Sequence, residues 1–315
     1  MVSRRTTPVA TAWLSQHKQE REMKFWQALV WTEPEQLVPL AQFAEELGFH
    51  GVFNADHAVF PEEVKAPYPY AADGKPPMTP DAPYPDCWVS IAFMAAATQK
   101  LHFTTSIYVL PLRNPFEVAK ATGSLDIFSG GRFALGIGAG WMEDEFEIYD
   151  VPFKARGKRM DDMIDVMHKL WQGGMVEHDG PVFQFPRLCI NPAPGHKVPI
   201  IVGGNNEAAL RRAAFRGDGW IGAGNHPDEV PAILERLREL RREAGRGDEP
   251  FETIVGLTTP PDVPTLQRLE EAGMTSAVNL PFAFALGKRS SLDEKKRFME
   301  DYEKRIMRPM AAQGQ

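Results

Sequence analysis

The sequence predicts an α/β fold, a (β/α)8 TIM barrel with long loop insertions at its C-terminal mouth, and three observations carry that expectation. Residues 101–141 read as strand, helix, strand. LHFTTSIYVLP is β-branched and aromatic, NPFEVAKATGSLDIF has helical periodicity stopped by Ser129-Gly130-Gly131, and RFALGIG is a second apolar strand. Such a unit within about forty residues is a parallel βαβ crossover. The same alternation recurs along the chain, giving eight strand–helix units and no second pattern to mark a domain boundary. Glycines and polar residues then gather where strands stop, the face on which parallel αβ proteins keep their ligands. A doubly wound sheet is the alternative, because strand number is read from sequence only to within one or two.

Taken in order, residues 1–22 are polar to basic with isolated apolar positions and no sustained apolar core of a targeting signal. They read as a flexible N-terminal extension, with 23–315 as a single barrel domain. KFWQALVW (24–31) is the first strand, and Glu33-Pro34 opens a helix with Leu37, Leu40, Ala41, Ala44 and Leu47 at helical spacing before Gly48. GVFNADH (51–57) is the second strand. Residues 58–86 then carry eight prolines with Tyr68, Tyr70 and Tyr84 among them. That composition favours an ordered flap over a loose linker, and its place after a strand end makes it a substrate-side lid.

Asp86 caps a helix over 86–99. Residues 141–156 form a second loop, rich in Glu143, Asp144, Glu145, Glu147 and Asp150. In GKRMDDMIDVMHKLWQGG, Met160, Met163, Ile164, Met167, Leu170 and Trp171 share one side, a stripe read as core packing. Residues 174–197 read as a short hairpin over the barrel mouth. VPIIVGG (198–204), DGWIGAG (218–224), FETIVGL (251–257) and SAVNLPF supply the remaining strands, each followed by a helical segment, the last near 291–307.

The formal charge of −7 arises from 42 acidic and 35 basic residues with no basic block, which gives no footing for nucleic acid. Arg236, Arg238, Arg241 and Arg242 alternate with Glu235, Glu239 and Glu243, as on a solvated helix face. Two cysteines, Cys87 and Cys189, fit a reducing, cytoplasmic setting, and no apolar run approaches a membrane span.

Asp56-His57 ends the second strand, where a histidine can pass a proton near neutrality and a neighbouring carboxylate can fix its tautomer. A structural hydrogen-bonded pair under the long loop is the competing reading. Gly203-Gly204-Asn205-Asn206 opens a strand-to-helix turn whose backbone N–H groups can hold a phosphate without a lysine. Plain turn chemistry explains the same residues less fully, because Gly138 and Gly140 end another strand on the same face. GIGAGW is not a dinucleotide fingerprint, since the glycine spacing and following helix are wrong. Arg113 serves either an anionic substrate or a structural carboxylate. His102, His168, His178, His196 and His226 share no ligand spacing, so no metal is expected, and there is no nucleophile elbow.

On VLPLRNPFEVAKATGSLDIFSGGRFALGIGAGW, VPFKARGKRMDDMIDVMHKLW and PIIVGGNNEAALRRAAFRGDGWI, the sequence resembles the luciferase-like monooxygenase superfamily over roughly residues 24–282. It resembles most the branch dependent on the deazaflavin coenzyme F-420. The resemblance implies a barrel with an insertion after the fourth-strand region, a coenzyme across the C-terminal mouth, a small-molecule substrate and a homodimer. It implies His57 as proton-transfer residue beside Asp56, and Ser106-Ile107 as a bulge behind the coenzyme ring, often with a non-prolyl cis peptide. It further implies Gly138 and Gly140 as close-approach glycines and Gly203, Gly204, Asn205 and Asn206 as the phosphate turn. Residues 1–22 fall outside the pattern, and Met23 is an alternative start. The expected activity is hydride transfer between deazaflavin and a small organic substrate. The alternative is a monooxygenase using FMN reduced by a separate reductase, with an apolar or aromatic substrate; Phe25, Trp31, Phe53 and the tyrosines hint at that substrate class. A non-catalytic barrel for a phosphorylated ligand is the lesser alternative.

Overall fold

In a parallel sheet covered on both faces, strands are buried throughout and read as apolar runs, which is how this chain is written. The computed structural model describes residues 22–313 apart from 72 and 288, so the proposed extension lies almost wholly outside the described residues. Its strands are β1 (Lys24–Ala28), β2 (Gly51–Asn54), β3 (His102–Thr105), β4 (Tyr108–Val109), β5 (Leu135–Gly138), β6 (Val176–Asp179), β7 (Gln184–Leu188), β8 (Ile200–Gly203), β9 (Gly219–Asn225), β10 (Glu252–Leu257) and β11 (Ser276–Asn279). Nine of them form one sheet in the order β3-β2-β1-β11-β10-β9-β8-β5-β4. Its pairings are parallel.

The strand expected over 101–111 is interrupted. Ser106-Ile107 is a cis non-prolyl peptide, and it separates β3 from β4. β3 pairs β2, while β4 pairs β5, so the two share one barrel position and eight positions result. A parallel bridge between Phe103 and Phe133 nearly closes the circle, with Phe103 N donating to Arg132 O at 2.8 Å and Ala134 N to Phe103 O at 2.9 Å.

The helices are α1 (Pro34–Leu47), α2 (Cys87–Ala96), α3 (Pro115–Ser129), α4 (Glu143–Ile148), α5 (Arg156–Trp171), α6 (Glu207–Arg216), α7 (Val230–Glu243), α8 (Val263–Glu271), α9 (Phe282–Leu286), α10 (Leu292–Tyr302) and α11 (Arg308–Gln313). Their ends follow side-chain chemistry. Asp86 accepts from the Trp88 and Val89 amides, Asn114 accepts from Phe116 N, and Gly48 and Gly130 close α1 and α3 in the left-handed region. No helix among the described residues is long and apolar enough to cross a membrane.

Two apolar layers result. Trp26, Ala28, Phe53, Ala134, Ile201, Ile221, Ile254 and Val278 form a cluster drawn from the barrel strands and the Phe133 bridge segment. The larger layer lies between sheet and helices and includes Met160, Met163, Met167 and Trp171, so the methionine stripe is core. Phe25 packs edge-on to Tyr302 in that layer, and Phe53 belongs to the smaller cluster. Both are core residues.

The β6–β7 hairpin departs from expectation. It lies against the flank formed by α3 and α5, not over the mouth. The reason is Asp162 of α5, a buried carboxylate that accepts from Val182 N at 2.9 Å, Phe183 N at 2.7 Å and His178 Nε2 at 2.8 Å. These bonds hold the carboxyl below its usual range against the opposing effect of burial. Phe185 meets Phe116 of α3 edge-on at 5.1 Å.

Candidate active site

β5 and β8 end in glycine because something large fills the space between them, and that something is Ile107. A Cβ on Gly138 would come within 2.4 Å of Ile107 Cδ1, and one on Gly203 within 2.4 Å of Ile107 Cγ2. The isoleucine turned inward at the cis peptide therefore plugs the barrel between two glycine strand ends. The space beside Gly203 belongs to a side chain and not to a ligand. Gly204, at φ 117, is glycine for its backbone conformation.

Above Ile107 opens a cleft of about 970 Å³, lined in part by Ile107, Gly138, Gly140, Gly203, Gly204, Asn205 and Asn206. Seven of the residues singled out from sequence thus meet at one place. Asn206 caps α6, its Oδ1 accepting from Ala209 N at 2.9 Å. The helix start so presented exposes first-turn N–H groups to the cleft wall. Lys154, Arg156 and Arg212 line the same cleft, as do Lys65 and the acids Glu143, Asp144 and Glu147. Arg212 is held by Asp161 at 2.6 and 3.2 Å, and Arg156 lies 3.7 Å over the Phe153 ring while donating to Gly140 O. Sequence reading missed these cations because they stand outside the glycine turn.

Asp56 and His57 part company. Asp56 turns to Arg113, whose Nη2 lies 2.9 and 3.1 Å from its two oxygens, and accepts from Val109 N at 3.0 Å. Burial raises this carboxyl's pKa while Arg113 and the Val109 amide oppose the rise. Burial likewise works against the Arg113 charge, but Asp56 carries that pKa above its ordinary value. The pair is an ion pair, and Arg113 serves a structural carboxylate. Ser106 sits in the same layer, its amide donating to Asn54 O at 2.8 Å. Among the described residues lining the cleft, Asp56, His57 and Ser106 are absent.

His57 is held by a residue that sequence reading did not single out. Its Nδ1 lies 2.9 Å from Glu145 Oε2, and the other Glu145 oxygen accepts from Ala58 N at 2.9 Å. The Glu145 side chain is 1% exposed. A carboxylate shared by two donors fixes the imidazole with Nδ1–H toward Glu145 and Nε2 as the basic nitrogen. Rings enclose it: Tyr84 edge-on at 5.2 Å and Trp141, which lines the cleft, at 5.9 Å. The neighbouring Asp144 accepts from Lys65 N at 3.3 Å and Ala66 N at 3.1 Å. Burial pushes the Tyr68 phenol up to about 12 and raises Tyr84 as well, so both stay neutral near pH 7.

Comparisons with known proteins bear on the family and the fold. A family model described as luciferase-like monooxygenase matches residues 11–311, and so reaches into the segment read from sequence as lying outside the pattern. An uncharacterised protein of Mycobacterium tuberculosis is 37% identical over 256 residues, 81% of this chain and 88% of that one. An F-420-dependent glucose-6-phosphate dehydrogenase of Nakamurella multipartita is 28% identical over 257 residues, 78% of this chain and 70% of that one. The crystal structure of monooxygenase RslO1 from Streptomyces bottropensis superimposes with a TM-score of 0.70 at 18% identity, covering 90% of this chain and 99% of that one.

Proposed function

The chain belongs to the luciferase-like monooxygenase family, a family of oxidoreductases and monooxygenases, and from that premise we propose that it moves a hydride between deazaflavin coenzyme F-420 and a small organic molecule. The observation that carries this reading is the pair Glu145–His57 set behind Trp141 at the edge of a cleft whose lining includes Lys154, Arg156 and Arg212. The relative from Nakamurella, named for coenzyme F-420, supports it.

The residues fit such a group. Ile107 between Gly138 and Gly203 gives a ring a flat apolar backing. The α6 N-terminus with Asn205 and Asn206 would take a phosphate, and Lys154, Arg156 and Arg212 would meet further negative charge. When bound, a deazaflavin supplies hydride chemistry, and the protein supplies position and proton traffic. Glu145 holds the imidazole so that Nε2 can take a proton from a substrate hydroxyl or return it to the oxygen. Asp56 keeps the strand end in place through Arg113 and acts at a distance from the substrate. The lid of residues 58–86 closes the substrate side.

The chain pairs with a second copy through α2 and α3, whose outer faces leave Phe93 69% and Phe128 83% exposed. Patches of that kind mark interaction sites. Sedimentation of wild type and Phe128→Glu checks this: a dimer that becomes a monomer is expected.

Titrating the protein with F-420 and with FMN, followed by single-turnover kinetics of wild type and His57→Asn with the tighter coenzyme, tests the main reading. Loss of the proton carrier lowers turnover by about 10²–10⁴-fold while coenzyme affinity holds. Tight FMN binding with oxygen-dependent substrate oxidation overturns the deazaflavin assignment in favour of the monooxygenase.

A further inference from the structure

We infer that the substrate is an uncharged, ring-bearing compound held on an aromatic shelf of Trp31, Tyr84 and Phe284; this rests on the hydride-transfer reading above. The shelf is a chain of contacting rings that ends at the proton carrier. Phe284 of α9 meets Trp31 edge-on at 5.4 Å. The Trp31 indole N–H donates to the Tyr84 hydroxyl at 2.6 Å, and Tyr84 meets His57 at 5.2 Å. His57 in turn meets Trp141, which lines the cleft. The shelf is therefore continuous with the proposed coenzyme site through His57.

Two features set these rings apart from core aromatics. Phe284 is 59% exposed, whereas Phe25 and Phe53 are 7% and 5% exposed. Trp31 has φ 57, a left-handed conformation that bulky residues adopt rarely and that persists where surroundings enforce it. The strained turn aims the indole at Tyr84 beside the site, away from the barrel core.

Charge defines the substrate class. The segments that follow the strands on this side, 29–33 (LVWTE), 55–58 (ADHA), 226–229 (HPDE), 258–262 (TTPPD) and 280–284 (LPFAF), contain neither lysine nor arginine. Arg113 is committed to Asp56, Lys295 to Glu33, and Arg289, 87% exposed, faces Asp81. Among the described residues, the cations that line the cleft are Lys65, Lys154, Arg156 and Arg212, and none of the three shelf rings belongs to that lining. A phosphate or carboxylate on the substrate would lose its hydration and gain no cation here. An uncharged ring would instead stack on the exposed face of Phe284 beside the half-buried Trp31, with its polar atom toward His57. The sugar phosphate named for the Nakamurella relative does not suit this side of the mouth.

The test separates this inference from the coenzyme assignment. Coenzyme titration scores that assignment by itself. The protein saturated with whichever coenzyme binds, or without one if neither does, is then titrated calorimetrically with acetophenone, 4-acetylbenzoate and glucose 6-phosphate. Acetophenone should bind saturably, 4-acetylbenzoate at least tenfold more weakly, and glucose 6-phosphate not at all. Phe284→Ala, which removes an exposed ring and spares the core, should weaken acetophenone about tenfold and leave coenzyme affinity unchanged. The inference falls if either anion binds as tightly as acetophenone. It falls equally if acetophenone does not bind saturably, or if Phe284→Ala leaves its affinity untouched.

Discussion

Replacing Glu145 with Gln tests the histidine clamp without needing a substrate. In the protein one buried carboxylate serves two donors, His57 Nδ1–H and Ala58 N–H, each at 2.9 Å. A glutamine of the same shape has one acceptor oxygen and one NH2 group, so it can satisfy only one of them. If its oxygen keeps Ala58, its NH2 faces His57 Nδ1, and the imidazole must move its proton to Nε2. If its oxygen keeps His57, the Ala58 amide is left facing another donor. A hydrogen bond to a charged group contributes about 1.5–3 kcal/mol, so one of two local equilibria shifts by roughly 10- to 100-fold.

Amide exchange at Ala58 and the ¹⁵N shifts of the His57 ring read these two outcomes separately. Either Ala58 protection drops by about one to two decades or the His57 tautomer inverts. In the second case Nε2 can no longer accept a proton, and turnover in the oxidising direction falls with it. Unchanged protection together with an unchanged tautomer would refute the clamp, leaving Glu145 a buried carboxylate of no consequence to His57.

Three other outcomes follow from the geometry. Gly203→Val drives a side chain into Ile107 and should cost about 1–3 kcal/mol in urea unfolding, and adding Ile107→Ala should recover most of it; no recovery would mean that the glycine answers to something else. His168 is pushed down to about 4, chiefly by burial and then by Lys197, so the folded state holds it neutral. Its contribution is present above pH 6.5 and is lost as pH falls toward 4, amounting to about 3 kcal/mol, and His168→Leu should flatten the stability profile in that window. Asp144→Asn should speed tryptic cleavage at Lys65 several-fold, because the Asp144 carboxylate accepts from the Lys65 and Ala66 amides, while cleavage at Lys75 stays put.

The barrel was legible because each of its parts has a local chemical cause. Asp86, Asn114, Gly48 and Gly130 stand where helix ends require them, and the apolar runs are those of a sheet covered on both faces. The glycines at 138, 140 and 203 marked the cleft because the side chains of Ile107, Val109 and Phe146 press on their backbone, and Gly204 because of its positive φ. What escaped was set by distant partners. The break at Ser106-Ile107 changes no periodicity, so the residue pattern alone missed it, while the family resemblance implied it and the cis peptide is there. The hairpin's place depends on Asp162, which looks in sequence like any polar residue of an amphipathic helix. Glu145 sits in an acidic run resembling a solvated loop, and its partner His57 lies 88 residues away. Only Phe146, buried between two acids and the chain that follows, hinted that this run folds back onto the barrel.

The adjacency of Asp144 and Glu145 ties two functions to one short helix. Side chains at successive positions of α4 point in different directions, so neighbouring carboxylates reach different targets. Glu145 takes the base of the lid at Ala58 together with His57, and Asp144 takes the lid farther on at Lys65 and Ala66. Trp141, just before the helix, stacks edge-on with both His57 and Tyr68 of the lid. A movement of the lid large enough to admit a substrate therefore pulls on α4, and a shift of α4 turns the imidazole. On the proposed role of His57, proton transfer is competent only while residues 58–66 are seated, because the carboxylate that holds the histidine also holds the Ala58 amide.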